Sequence, residues 1–190
     1  WYNSNIMKSN YEAKILSKAD IEDRKEDLYG EFSQIYGEKF RGPEVFGDII
    51  NAATHGVEIY EEDDNQNSKI GAAVLASSAT GRILMAGAIP GKGFNEGRKK
   101  RAIEVLKTIN EVSETEHWIS VSCDQPKMEK VVLEAGMIEV ESLEKAQEIL
   151  QKTGRPEDYE IVQSRGGLII STKNRGYKQK LYVSDNQKDL

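Results

Sequence analysis

Apolar residues recur along this chain at two spacings, every second position and every third to fourth, and the switches between them mark its elements. Residues 11–17 alternate as a short strand does, with Tyr11, Ala13 and Ile15 set against Glu12 and Lys14. Asp20 stands where it can cap a helix whose apolar stripe is Ile21, Leu28, Phe32 and Ile35. The glycines and proline of 37–43 break that helix. A second helix is expected from Pro43, with Val45, Phe46, Ile49, Ile50 and Ala53 on one face and Gly56 as its stop.

The period then changes to two. Val57 and Ile59 begin a strand that runs into the acidic turn Glu61-Glu62-Asp63-Asp64-Asn65. Residues 70–76 and 82–89 are two more strands, turned at Thr80-Gly81, so that 57–89 reads as an antiparallel meander of two hairpins. The third strand is apolar throughout, which suits a central strand covered on both faces. After a glycine-rich stretch, Ala102, Val105, Leu106, Ile109 and Val112 set out a helix. Residues 118–123 return as a strand. Pro126 opens a helix with Met128, Val131, Val132 and Ala135 inward and Gly136 as its stop. A brief strand at 138–140, a helix through Leu143, Ala146, Ile149 and Leu150 to Gly154, and a last strand at 168–171 complete the series. The expected fold class is α/β, a mixed and mostly antiparallel twisted sheet flanked by helices. A single domain is expected over 11–173, with a polar tail over 174–190. Residues 1–10, in which Met7 is preceded by six residues, read as an N-terminal extension, either native or added.

Composition narrows the class. The 190 residues are enough for one domain with a real core. Net charge is -6, which argues against extended duplex binding but not against a local basic patch. The single cysteine, Cys123, excludes an internal disulfide and argues against a cysteine metal site. No apolar run approaches the ~20 residues of a membrane helix. A cytoplasmic protein with no membrane partner and no metal is the expectation, and a homodimer is left open.

The chemistry concentrates at one place. Gly91-Lys92-Gly93-Phe94-Asn95-Glu96-Gly97 runs into Arg98-Lys99-Lys100-Arg101, four cations where a helix should begin. Cations at a helix N-terminus oppose its dipole, whereas free backbone N–H groups there make a phosphate site. Gly91, Gly93 and Gly97 allow close backbone approach, Asn95 suits a cap, and Arg98, Lys99 and Lys100 can meet phosphates. The alternative is a solvated basic helix face. A P-loop is excluded by spacing, and a dinucleotide fingerprint at 91, 93 and 97 is spoiled by Pro90 and by the preceding hairpins.

Two segments, Gly97 through Leu106 and Asp124-Gln125-Pro126-Lys127 through Glu134-Ala135-Gly136-Met137, resemble the loop–helix and the "D-N-P-x-A…G-F" signatures of the Gcn5-related N-acetyltransferase (GNAT) superfamily. Together with the order of elements, the resemblance spans roughly residues 11–140. Three signature positions differ: Phe94 stands for the usual Gln/Arg, Lys99 for the second glycine, and Val132 for the tyrosine that many members use as general acid. The resemblance implies an acetyl-CoA or other acyl-CoA cosubstrate whose pantetheine pairs with backbone of Ala88 and Ile89. Its pyrophosphate would rest on Gly91, Gly93, Gly97, Arg98, Lys99 and Lys100, near Gln125. It further implies that the strand beginning near 118 splays from its neighbour and opens a slot for the acyl group, which Ser120, Ser122 or Asp124 could line. The acyl group would pass to an amine acceptor of unidentified kind: a small molecule, a protein amine or a nucleic-acid-linked amine. A GNAT-like binding module without catalysis, and a nucleotide-binding protein using the same loop, are the alternatives.

No proton acceptor stands out. Tyr60, Glu58, Ser122 and Asp124 are the candidates, and a water chain would serve as well. His55 is placed at a helix C-terminus and His117 before a strand, both structural by expectation. Ser120 and Ser122 are otherwise plain sheet residues, and Cys123 a small apolar one. The 61–64 acidic run is either a solvated hairpin tip or an attractor for a cationic substrate.

Overall fold

The computed structural model describes residues 11–37, 40, 42–61, 69–88, 96–164, 167–173 and 176–185. Its first half is built on a four-stranded antiparallel sheet in sequential order: β1 (Tyr11–Ser17), β2 (His55–Glu61), β3 (Lys69–Ala76) and β4 (Ile83–Ala88). Three helices fill the connection between β1 and β2: α1 (Lys18–Asp23), α2 (Lys25–Tyr36) and α3 (Pro43–Ala52). Ser17 caps α1 and Asp20 closes the reciprocal capping box, so the cap lies three residues earlier than expected. The chain also turns at Arg24, which divides the expected single helix in two. Helix α3 ends at Ala52, and Gly56 belongs to β2 instead of stopping the helix. Gly56 is needed there because a Cβ would lie 2.6 Å from Val74 O.

Neighbouring residues of β3 enter different cores, which places helices on both faces of this sheet. Ala72, Val74 and Ala76 pack with Val105, Leu106 and Ile109 of α4 (Glu96–Val112), whereas Ala73 and Leu75 pack with Leu28, Phe32 and Ile35 of α2 and with Phe46 and Ile50 of α3. Burial of each of the larger of these side chains, the Val, Leu, Ile and Phe, is worth about 1.5–3 kcal/mol. Strand β4 is covered on both faces, as its apolar run predicts. Within the ladder it is the edge of the first sheet, not its centre.

The second half forms another sheet: β5 (Trp118–Ser122), β6 (Met137–Glu139), β7 (Tyr159–Ser164), β8 (Gly167–Thr172) and β9 (Lys178–Ser184). Helix α5 (Pro126–Glu134) joins α4 over one face, and α6 (Leu143–Gln151) packs on the other against Trp118, Leu168, Ile170 and Leu181. The polar tail expected after Lys173 is corrected here. Strand β9 pairs with β5 along one edge and with β6 and then β8 along the other, so it is the centre of this sheet. Leu181, Tyr182 and Ser184 are its buried residues. Strand β7 was not expected either; its residues are mostly exposed, so its alternation is weak. Two glycine stops hold as expected, with Gly136 at φ 82° and Gly154 at φ 74°.

Candidate active site

Among the described residues the two sheets meet at a single backbone bridge. Arg82, just before β4, pairs in parallel with Trp118, the first residue of β5. Beyond that point, among the described residues, β4 pairs only with β3 and β5 only with β9. The parallel strands therefore part after one bridge and leave the outer edge of β4 without a strand partner among the described residues. Side-chain contacts close the vertex. Trp118 Nε1 donates to Thr80 O at 2.7 Å, Trp118 N to Gly81 O at 2.8 Å, and the Arg82 guanidinium lies 5.3 Å from the indole centroid. Gly81, at φ 67°, fits because a Cβ would lie 2.4 Å from Glu116 O.

The histidines meet at the same vertex, which sequence spacing does not reveal because they are 62 positions apart. His55 Nε2 lies 2.9 Å from His117 Nε2. His55 opens β2 instead of closing a helix, so the expected favourable helix dipole is absent, and burial lowers its pKa. His117 is fully buried, and burial first, then the His55 charge, pushes it down to about 4. Among the described residues no group of three or more His, Cys, Asp and Glu could hold a metal ion.

Helix α4 starts at Glu96, directly after the slot-side strand and its connecting segment. The basic run is placed there, but much of it faces protein. Arg98 donates Nε to Ala88 O at 3.0 Å and Nη2 to Ile35 O at 3.4 Å. Lys99 Nζ lies 2.5 Å from Glu134 Oε1 at the end of α5. Arg101 is buried, and Lys100 is exposed. Gly97 lies in the first turn of α4. Ile89, Gly91, Gly93 and the signature position Phe94 lie outside the described residues.

On the α2 face of the first sheet is a buried ionic cluster. Glu58 is fully buried on β2. Its Oε2 accepts from Arg24 Nη1 and from the Tyr60 hydroxyl at 2.6 Å. Arg24 Nη2 also donates to Glu31 Oε1 of α2 at 3.1 Å. Glu31 Oε2 and Glu58 Oε1 are buried without a donor. Burial first, and then the Glu58 charge, raise the Glu31 carboxyl to about 7. Burial and the bond to Glu58 raise Tyr60. Burial opposes the charge on Arg24, and the bond to Glu58 outweighs it. Tyr60 and Glu58 are thus brought together as candidates; Arg24 and Glu31 are additions that no local motif announces.

The β5 candidates are dispersed. Ser120 and Ser122 are partly buried and pair with Leu181 and Gln179 of β9, so their backbone serves the sheet. Asp124 and Gln125 are exposed in the turn before α5. Cys123 is exposed too, a correction to its reading as an apolar residue; the strand ends one residue before it. Val132 is fully buried in the core.

No protein-family model matches the chain, and no curated protein matches it. Among solved structures the chain is similar to a GNAT-family acetyltransferase from Bacillus cereus ATCC 10987, at 13% identity over 92% of this chain and 96% of that one, with TM-score 0.49. It is similar to Arabidopsis thaliana NAA60 in complex with acetyl-CoA, at 11% identity over 91% and 97%, TM-score 0.47. A third is a spermidine N-acetyltransferase SpeG chimera from Vibrio cholerae and hSSAT, at 11% identity over 93% and 95%, TM-score 0.47.

Proposed function

We propose that the chain is an acyl-CoA-dependent N-acyltransferase of the GNAT kind that moves an acyl group, acetyl by preference, from the CoA thioester to an amine. The observation that carries this reading is the parting of β4 from β5 after one bridge. Parting parallel strands leaves backbone groups of β4 without a strand partner, which suits an arm that contains amides. A helix that starts beyond the same strand end supports a pyrophosphate nearby.

The transfer needs two things of the protein, proximity of the reactants and a path for a proton. The slot holds the thioester and amine together, which replaces a bimolecular encounter. The neutral amine nitrogen bonds to the carbonyl carbon, the C–S bond breaks, and the thiolate takes the proton that the nitrogen gives up. That proton has to move through the site. Tyr60, half-buried and bonded to Glu58, forms one end of a path that the Glu31–Glu58 carboxyl pair can feed or drain. Arg24 keeps the net charge of the pair low enough for burial.

The test is thiol release from acetyl-CoA across a panel of small amines, polyamines and peptide N-termini. Release that depends on an amine, and falls at least tenfold in Glu58→Gln, supports the reading. CoA binding without release by any amine favours the second reading, a CoA-binding module. That reading draws on Val132, a buried apolar residue where a hydroxyl would be expected.

A further inference from the structure

Two carbonyls on β4, those of Ala86 and Ala88, accept hydrogen bonds from side chains. The Tyr36 hydroxyl, at the end of α2, donates to Ala86 O at 2.8 Å. Arg98 Nε, in the first turn of α4, donates to Ala88 O at 3.0 Å. Residues two apart on a strand direct their carbonyls to the same edge. That edge is the open one. Helices α2 and α4 lie on opposite faces of the sheet, yet Arg98 also reaches Ile35 O on α2. A side chain that spans both faces has to pass around the unpaired edge of β4 or its end. Tyr36 stays within reach because Ile35 sits directly over Gly87, where a Cβ would lie 2.3 Å from Ile35 Cγ2. Tyr36 is 38% exposed and its ring lies at the rim of the Phe32 and Phe40 cluster, so its hydroxyl can be reached from solvent.

We propose that Tyr36 and Arg98 are a clasp on the open edge of β4 that competes with the amide arm of an acyl-CoA for the carbonyls of Ala86 and Ala88. The proposal rests on the acyl-CoA reading above. The two halves respond to different parts of the ligand. Arg98 is a guanidinium beside a helix start, and a pyrophosphate offers it a charged, bidentate partner, stronger than the neutral carbonyl of Ala88. Its transfer frees Ala88. Tyr36 is neutral, its hydroxyl held protonated by burial, so phosphate does not draw it away. It is displaced only by a donor on the arm itself. Nucleotide binding and seating of the arm are thereby separate steps, and the second carries the cost of breaking the tyrosine contact.

The experiment is calorimetric titration of the chain and its Tyr36→Phe variant with two probes, CoA and adenosine 3′-phosphate 5′-diphosphate, which lacks the arm. Loss of the phenol leaves Ala86 O without its donor until the arm supplies one. One such hydrogen bond is worth a factor of about 2–12 in affinity. The expected result is CoA binding tightened about threefold to tenfold in Tyr36→Phe, with the nucleotide fragment unchanged. Equal CoA affinity in the two proteins, or weaker CoA binding in the variant, overturns the clasp. Tightening of both probes alike overturns it as well, since the effect would not be on the arm. A second variant, Arg98→Gln, is expected to weaken the fragment and CoA by similar factors; an unchanged fragment affinity overturns the role of Arg98. Failure of wild-type chain to bind either probe instead overturns the acyl-CoA reading itself, and the clasp with it.

Discussion

At the scale of single residues, the clearest demand is that of Arg24. Its guanidinium holds Glu58 and Glu31 together, and Glu58 is fully buried. Arg24→Met would leave two buried carboxyls without a counter-charge. The expected loss is about 3–5 kcal/mol, read from urea unfolding at neutral pH. Glu31 makes a signed prediction. Its folded pKa is raised from 4.5 to about 7, so the folded state holds a proton that the unfolded state releases. Its contribution is present in full below pH 4.5 and is lost as pH rises through 7. Glu31→Gln should remove that decline, and the difference in unfolding midpoint between variant and wild type should widen from pH 5 to 8. His117 has the opposite sign. Its pKa falls from 6.5 to about 4, so its contribution is present above 6.5 and is lost as pH falls toward 4. His117→Gln should flatten the acid limb of the stability curve without altering the limb above pH 7. None of these partners could be read along the chain. Arg24 and Glu58 are 34 positions apart, and the two histidines 62. Only the β2 spacing of Glu58 and Tyr60, two residues on one strand face, was a local signal.

At the scale of elements, most of the fold was legible because most elements are amphipathic. Phe46, Ile50, Val105, Leu106 and Ile109 are buried as their spacing requires, whereas Val45 and Val112, expected on the same stripes, are exposed. What sequence missed has physical causes. Strand β9 carries Lys178, Gln179 and Lys180 ahead of its buried Leu181 and Tyr182, so its polar start hid a central strand. Helix α3 ends early because β2 takes His55 and Gly56 into the ladder, where Gly56 faces Leu75. The basic start of α4 was legible as a place but not in its contacts, since Lys99 meets Glu134 and Arg98 meets two carbonyls from elsewhere in the chain. The seating of α2 on β4 can be tested through Gly87. Gly87→Ala forces its Cβ into Ile35 and is expected to cost about 1–3 kcal/mol by overpacking. Adding Ile35→Ala should recover part of that loss, so the double variant is more stable than the sum of the singles. Simple additivity by denaturant titration would mean that the contact does not hold α2 in place.

At the scale of the whole molecule, the design is two antiparallel sheets joined at one parallel bridge and clamped at their vertex by Trp118 and the histidine pair. The helices α4 and α5 run across one face of both sheets. What the arrangement leaves open is the edge of β4, next to the start of α4 and around the sheet from the Glu31–Glu58 pair. That juxtaposition of a strand edge without a strand partner, a helix start and a buried carboxyl pair is the basis of the acyl-transfer account. Its central claim is that the slot takes an acyl-CoA. The most direct test is the melting temperature of the chain with and without acetyl-CoA at about 100 times its dissociation constant. Binding to the folded state alone adds about 2.7 kcal/mol, which for a chain of this size corresponds to a rise of about 5–10 °C. The account predicts that rise, and its loss in Gly97→Val, where a side chain in the first turn of α4 obstructs phosphate approach. A melting temperature that saturating acetyl-CoA leaves unmoved would contradict it.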